Sequence, residues 1–330
     1  MCAARAHKNH SMLCRSGHVT RIVLFSSALL LCALASAQNQ NGRGGPAQES
    51  LRKASQLDLD GKGGEARELF QNAIDTATSA ALKASALRSM AMSWAFEGNC
   101  KKTGEYEQMV IDYWVTQEQA NPRNAFYQEG EMADEAARVC IDAGDLDASR
   151  EWYKKGHDLG LKEPDISPDR KLLWEYRWAH SQARIAARHG NRLETEKHIA
   201  AAKAALDGMT QLRQQQEQFF PYLTGYAALY LGDYAKALKD LQAANQSDPF
   251  IQCLMGQAYE KLGDKAKALE CYRKASQTNA HNPPAAFARP FSRKKLGELD
   301  HTALLFRCLK TYSGQMAPAV GMLGMPVQAA

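Results

Sequence analysis

The string GDYAKALKDLQAANQSDP, Gly232 to Pro249, is restated thirty-one residues later as GDKAKALECYRKASQTNAHNP, Gly263 to Pro283. In the first copy Ala237, Leu241 and Ala244 are spaced four and three apart, and in the second Ala268, Tyr272 and Ala275 repeat the spacing. Residues so placed share one face of a helix. A bulky residue flanked by small ones lets a neighbouring helix approach closely while the knob fills its groove. Seven residues before each Gly-Asp stands another glycine, Gly225 and Gly256, inside a helical run. A glycine there costs about 1 kcal/mol of helix propensity, so close helix packing is the expected reason for it. The unit is a helix, a Gly-Asp turn, a second helix and a proline. One such pair cannot bury its own apolar face; stacked copies can, each touching mainly its neighbours.

Gly256, Tyr259, Gly263-Asp264, Ala268, Tyr272, Ala275 and Pro283 together resemble a tetratricopeptide (TPR) repeat. The copy with Gly225, Gly232-Asp233, Tyr234, Ala237, Leu241, Ala244 and Pro249 is similar, with Ala228 where an aromatic is usual. Weaker copies place Ala66, Phe70 and Ala73 after Gly61, Ser149, Tyr153 and Gly156 after Gly144, and Thr195, Ile199 and Ala202 after Gly190. A last one places Thr302, Phe306 and Leu309 after Gly297. Around Gly98 only the first helix fits, through Trp94 and Phe96. The expectation is an all-α, right-handed α-solenoid of about seven TPR-like helix-turn-helix pairs. Uneven glycine spacings in residues 49–207 predict longer helices or inserted loops there, and residues 208–312 read as regular repeats. Pro290 is expected to kink the first helix of the last pair or to begin it.

The first 37 residues read differently. Arg5, Lys8, Arg15 and Arg21 precede the apolar run IVLFSSALLLCALASA, which ends in Ala35-Ser36-Ala37. That is the layout of a signal peptide, cleaved before Gln38, with either Met1 or Met12 as its start. Leu31 before Cys32 argues against a lipoprotein signal. The expectation is an exported chain, periplasmic or secreted, with no stable membrane span after cleavage. Residues 38–48 read as a flexible polar lead-in, and the uncharged residues 313–330 as a disordered tail. The chain carries a formal charge of +5, and the leader supplies four basic residues and no acidic one, leaving +1. Nucleic-acid binding needs a field that neutralises several phosphates, and none is present. Cys100, Cys140, Cys253, Cys271 and Cys308 follow the leader at wide spacings, read mostly as small packing residues.

Short catalytic motifs are silent, so no enzyme, cofactor or metal is implied. DLDGKGGE, Asp58 to Glu65, superficially resembles a calcium loop, but Lys62 and Leu69 stand at ligand places. It reads as a turn between helices. His180, His189 and His198 read as surface residues. Two stripes remain: Arg177, His180, Arg184 and Arg188 on one helical face, and Phe219, Tyr222, Tyr226 and Tyr230 on the next copy's first helix. The resemblance places Tyr222, Tyr226 and Tyr230 on the family's ligand-facing side. Aromatics beside cations suit a protein or an extended acidic peptide, since rings give contact area and guanidiniums grip carboxylates. Arg177, Arg184, Arg188 and the three tyrosines are therefore the candidate binding residues. The family's clamp for C-terminal carboxylates uses Lys and Asn; those places here hold tyrosines, Cys253 and Gln257. The expected function is a non-enzymatic protein- or peptide-binding scaffold. The alternatives are an envelope enzyme or ligand receptor with its site in helices 99–210, or a structural assembly subunit.

Overall fold

The structure, a computed structural model, describes the backbone of residues 46–314 and the side chains of residues 48–299. The expected leader, most of the lead-in and the tail after Gly314 lie outside the described residues. The lead-in is expected from sequence to reach residue 48, whereas helix begins at Pro46. Thirteen helices of at least two turns follow: α1 (Pro46–Leu59), α2 (Gly63–Asp75), α3 (Ala80–Phe96), α4 (Cys100–Val115), α5 (Pro122–Ala143), α6 (Leu146–Gly160), α7 (Pro168–Arg188), α8 (Arg192–Gly208), α9 (Phe220–Tyr230), α10 (Tyr234–Gln242), α11 (Pro249–Lys261), α12 (Lys265–Ser276) and α13 (Pro283–Gly314). They pack as consecutive pairs in a tetratricopeptide-like helical solenoid, with no strand among the described residues.

Two short signals set the pair boundaries. Within a pair, a left-handed glycine ends the first helix, and in every pair but α1–α2, where Lys62 follows Gly61, an Asx side chain starts the second. Gly232 and Gly263 both have φ of 83°, and Asp233 and Asp264 accept from the amides of Lys236 and Lys267 at 3.1 Å. The glycine supplies the αL residue that closes a helix C-terminus, and the carboxylate satisfies an orphan amide at the next N-terminus. Between pairs, Asn121-Pro122, Ser167-Pro168 and Asp248-Pro249 each put a cap before a proline that fits the first helical turn. DLDGKGGE is the α1–α2 turn, as expected.

The small-bulky-small faces are buried as the repeat logic requires: Ala237, Leu241, Ala268, Tyr272, Ala66 and Phe70 are wholly enclosed. A Cβ on Gly225 would stand 2.7 Å from Leu241, and one on Gly256 would stand 2.6 Å from Tyr272. The irregular centre holds the long helices α5 and α7, of 22 and 21 residues, and a loop insertion. Buried Trp174 of α7 presses into Gly130 of α5 and Gly160 of α6, where a Cβ would meet the indole at 2.4 and 1.9 Å. The pair around Gly98 is more regular than its sequence suggests. Thr103, Glu107 and Val110 occupy the small-bulky-small places and are buried, with a carboxyl where a ring is usual.

The expected seventh pair is corrected. Gly297 makes no turn: α13 runs through it as one helix of 32 residues, and the next residue is Glu298 rather than a capping Asn or Asp. Pro290 neither begins nor ends the helix, because α13 is held on both sides of the proline. Ala285, Ala286 and Ala288 are buried before it, while Arg289 and Arg293 donate to the Leu59 carbonyl at 2.8 and 2.7 Å. That carbonyl is the C-terminal, partly negative end of α1, where cations are stabilising. Just ahead of α13, His281 Nε2 lies 2.8 Å from Asp58 Oδ2, and its ring stacks on Phe96 with centroids 5.3 Å apart. Ser93 donates to the other Asp58 oxygen at 2.8 Å. The last helix thus packs onto α3 and α5 as well as its neighbours in sequence.

The cysteine reading is also corrected at one place. Cys100 at the start of α4 and Cys140 in α5 form a disulfide, 40 residues apart. The Gly98-Asn99 turn and the return of α5 bring them together, a pairing that wide spacing in sequence conceals. Cys253 and Cys271 are free and buried. No described helix is long and apolar enough to cross a membrane.

Candidate functional site

The first helices of successive pairs turn polar side chains toward one another, and with the start of α13 they line an open cavity of about 420 Å³. Arg88 enters from α3, Glu131, Asp134, Glu135 and Arg138 from α5, Tyr176, Arg177, His180 and Arg184 from α7, and Tyr222 from α9. Tyr153 of α6 lines its depth, and Asn282, Pro283 and Pro284 close one side. Gln216 and Phe219 arrive from the insertion between α8 and α9. Asp169 holds that insertion by accepting from the amides of Thr210, Gln211 and Leu212 at 3.1, 2.7 and 2.8 Å. These backbone bonds keep the Asp169 carboxyl below its ordinary range.

Charge in the cavity is paired along one wall and unpaired along the other. Arg177 donates to Glu131 at 2.5 Å and to the Tyr127 hydroxyl at 3.1 Å, and Asp134 lies 3.8 Å from the same guanidinium. Arg88 forms a two-pronged pair with Glu135, behind which sits buried Glu107. Burial, and then the neighbouring Glu135 charge, push the Glu107 carboxyl well above its usual range. On the other wall Arg184 is only 5 % exposed and donates to two phenols, Tyr222 at 3.1 Å and Tyr153 at 2.5 Å. Arg138 lies over the Phe250 ring at 4.8 Å and the Tyr222 ring at 6.0 Å. Neither arginine forms an ion pair with a described residue.

Titration in the cavity is set mainly by burial. Asp134 is pushed up to about 7, with Arg177 opposing the rise. His180 is held well below its usual range by burial and by the charges of Arg184 and Arg138, so it is neutral near pH 7. Its expected surface position is corrected: the ring is buried between Tyr176 and Tyr222, with centroids 5.7 and 5.3 Å away.

The two stripes read from sequence do meet, because α7 packs on α9. Arg177, Arg184 and Tyr222 line the cavity. Tyr226, Tyr230 and Arg188 form a stack beyond it: Tyr226 is fully buried, Tyr230 lies 4.6 Å from it, and the Arg188 guanidinium covers Tyr230 at 4.5 Å. Sequence reasoning passes over Glu131, Asp134, Glu135 and Arg138. Their spacing of three, one and three puts them on one face of α5, a pattern that also fits a solvated face.

Residues 249–282, spanning α11 and α12, match the tetratricopeptide repeat family. No curated protein matches the chain. That match identifies one tetratricopeptide repeat in the chain, and the preceding helix pairs extend the same packing toward the N-terminus.

Proposed function

We propose that this chain is an exported, non-catalytic scaffold that binds a segment of another protein at the charged cavity. The observation that carries the reading is the tetratricopeptide repeat itself, in a solenoid whose first helices converge their polar faces on one cavity. Such repeats serve widely as protein-interaction surfaces. Export is supported by the basic-apolar-small layout of residues 1–37. The Cys100–Cys140 disulfide supports it too, since such bonds persist in oxidising compartments. The test is crosslinking capture from a cell-envelope extract with the chain beginning at Gln38. Saturable capture of one protein, competed by excess uncrosslinked chain, is the expected result; capture that never saturates would count against a specific scaffold.

One observation favours a second reading, a receptor for a small ligand. Half of the residues lining the cavity come from the long central helices α5 and α7 rather than from the regular pairs, and its volume suits a small molecule. Native mass spectrometry of the purified chain separates the two, a bound small molecule favouring the receptor.

A further inference from the structure

The wall of the cavity made by Arg138, Arg184, Tyr222 and His180 carries positive charge that the protein does not match nearby. Four guanidiniums line the cavity, those of Arg88, Arg138, Arg177 and Arg184, against the three carboxyls of Glu131, Asp134 and Glu135. Two of the guanidiniums, Arg88 and Arg177, are taken up by Glu135 and Glu131. The remaining two share one ring as neighbour: Arg138 is 6.0 Å and Arg184 5.8 Å from the Tyr222 centroid. Like charges so close in a partly buried site repel each other. Arg138 makes no hydrogen bond or ion pair to any described residue, and the Nε of both arginines is buried without an acceptor. Asp142 and Asp248 act on Arg138 only through space, and Asp142 is shared with Arg184 and Arg188. Nor can His180 supply a negative partner.

We propose that Arg138 and Arg184 form a subsite for one carboxylate of the molecule that occupies the cavity. This deepens the binding function above and rests on the cavity being the ligand site. A carboxylate matches a guanidinium in plane and can take two parallel hydrogen bonds from it, using the donors that now lack acceptors. It also carries a single charge. A phosphate or other polyanion would meet Glu131 and Glu135 across the same cavity and be disfavoured by them. The opposite, carboxyl-lined wall suits a hydroxyl or amine at the far end of the same ligand. Two sources present this chemistry: a free small carboxylic acid, and an acidic side chain of a partner.

The full chain from Gln38 is titrated by isothermal calorimetry with 4-hydroxybutyrate, with L-glutamate, with an end-blocked glycine-rich peptide carrying one central glutamate, and with inorganic phosphate. The expected result is binding of at least one carboxylate probe, weaker with added salt, with phosphate at least tenfold weaker. Binding of the small acids alone assigns the subsite to a free ligand, and binding of the peptide alone assigns it to a partner's side chain. Arg138→Gln should weaken the responding probe at least tenfold, and Arg138→Lys should restore part of the loss. Because Arg138 holds no hydrogen bond in the fold, Arg138→Gln should keep the wild-type circular dichroism spectrum, with a small fall in melting temperature from the lost contact with the Phe250 ring. Arg184→Gln is the second variant, read only if its spectrum is native. Absence of binding by every carboxylate probe at millimolar concentration, or equal binding by Arg138→Gln, overturns the subsite. Continued saturable capture of an envelope protein by Arg138→Gln in that case would leave the scaffold reading standing.

Discussion

Two helical glycines with opposite surroundings, Gly256 and Gly297, make a direct test of the packing. Gly256 in α11 faces Tyr272 of α12; a methyl there would stand 2.6, 2.8 and 3.0 Å from three atoms of the ring. Ordinary carbon contacts are about 3.5–4.0 Å, so the ring would have to retreat by about 1 Å. It has little room to do so. Tyr272 is wholly buried, its hydroxyl donates to Glu260 at 2.8 Å, and Glu260 is held by Lys295 at 2.9 Å. Overpacking of this kind costs about 1–3 kcal/mol, and alanine returns about 1 kcal/mol of helix propensity. Gly256→Ala should therefore lose about 1 kcal/mol net. Gly297 lies inside α13, and a methyl added to it would meet nothing within 4 Å, so Gly297→Ala should gain about 1 kcal/mol. The two variants should differ by about 2 kcal/mol, or roughly 4–8 °C in melting temperature for a chain of this size. Urea unfolding with hydrogen exchange on the α11–α13 region reads both the size and the place of the change. Loss of stability in Gly297→Ala would mean that the glycine sits in a turn, as its spacing in sequence suggests, and not in a continuous helix. A Gly256→Ala protein as stable as the wild type would refute the close approach of α11 and α12.

Three further outcomes are expected. The Cys100–Cys140 bond closes a segment of 40 residues, and chain entropy alone gives it about 4 kcal/mol; the Cys100→Ser, Cys140→Ser protein should lose about 2–4 kcal/mol in urea. Alkylation of both thiols in the unfolded, unreduced chain would show that the bond is absent. Asp134 holds its proton up to about 7 in the fold but only to its ordinary value of 3.8 when unfolded. Between those values the folded state binds more protons, so stability falls as pH rises through the window. Asp134→Asn should escape that fall, on the order of 4 kcal/mol relative to wild type between about pH 4 and pH 7.5, while the other buried carboxyls cancel in the comparison; parallel profiles for the two proteins would refute it. Tyr226→Ala should cost about 3–5 kcal/mol because the ring is fully enclosed, and an unchanged melting temperature would place that ring outside the core.

The helix pairs are legible in sequence because their signals are local. A left-handed glycine followed by an Asx cap, as at Gly263-Asp264, is written in two adjacent residues, and a small-bulky-small face in eight. Where the local chemistry is missing, spacing alone misleads. Gly297 has the right spacing but is followed by Glu298, which does not cap, and the helix runs on. Pro290 has the right chemistry to break a helix, but α13 is anchored on both sides by contacts to a distant helix end. At the site, the α7 and α9 stripes are legible because each lies on one helix. The carboxyls of α5 are not, since charge at helical spacing looks the same on a solvated face as on a cavity wall. What separates the two is the partner across the cavity, and that partner lies far away in sequence.

That distance changes what kind of solenoid this is. In an open repeat array each pair interacts with its neighbours, and its ends are free of one another. Here Asp58, at the end of α1, is held by Ser93 and by His281, a separation of 223 residues for the second contact. Arg289 and Arg293 take the last carbonyl of the same helix. The residues that follow His281, Asn282 to Pro284, are those that close one side of the charged cavity. The contact that ties α13 back to the first pairs and the edge of the charged cavity are therefore one piece of chain. A first-helix face that would lie open along a free-ended array is bounded here at α13, and it becomes a pocket in which Arg138 and Arg184 both neighbour the Tyr222 ring. The proposed subsite therefore takes a ligand that enters end-on, by a single charged group, rather than one laid along the length of the repeats.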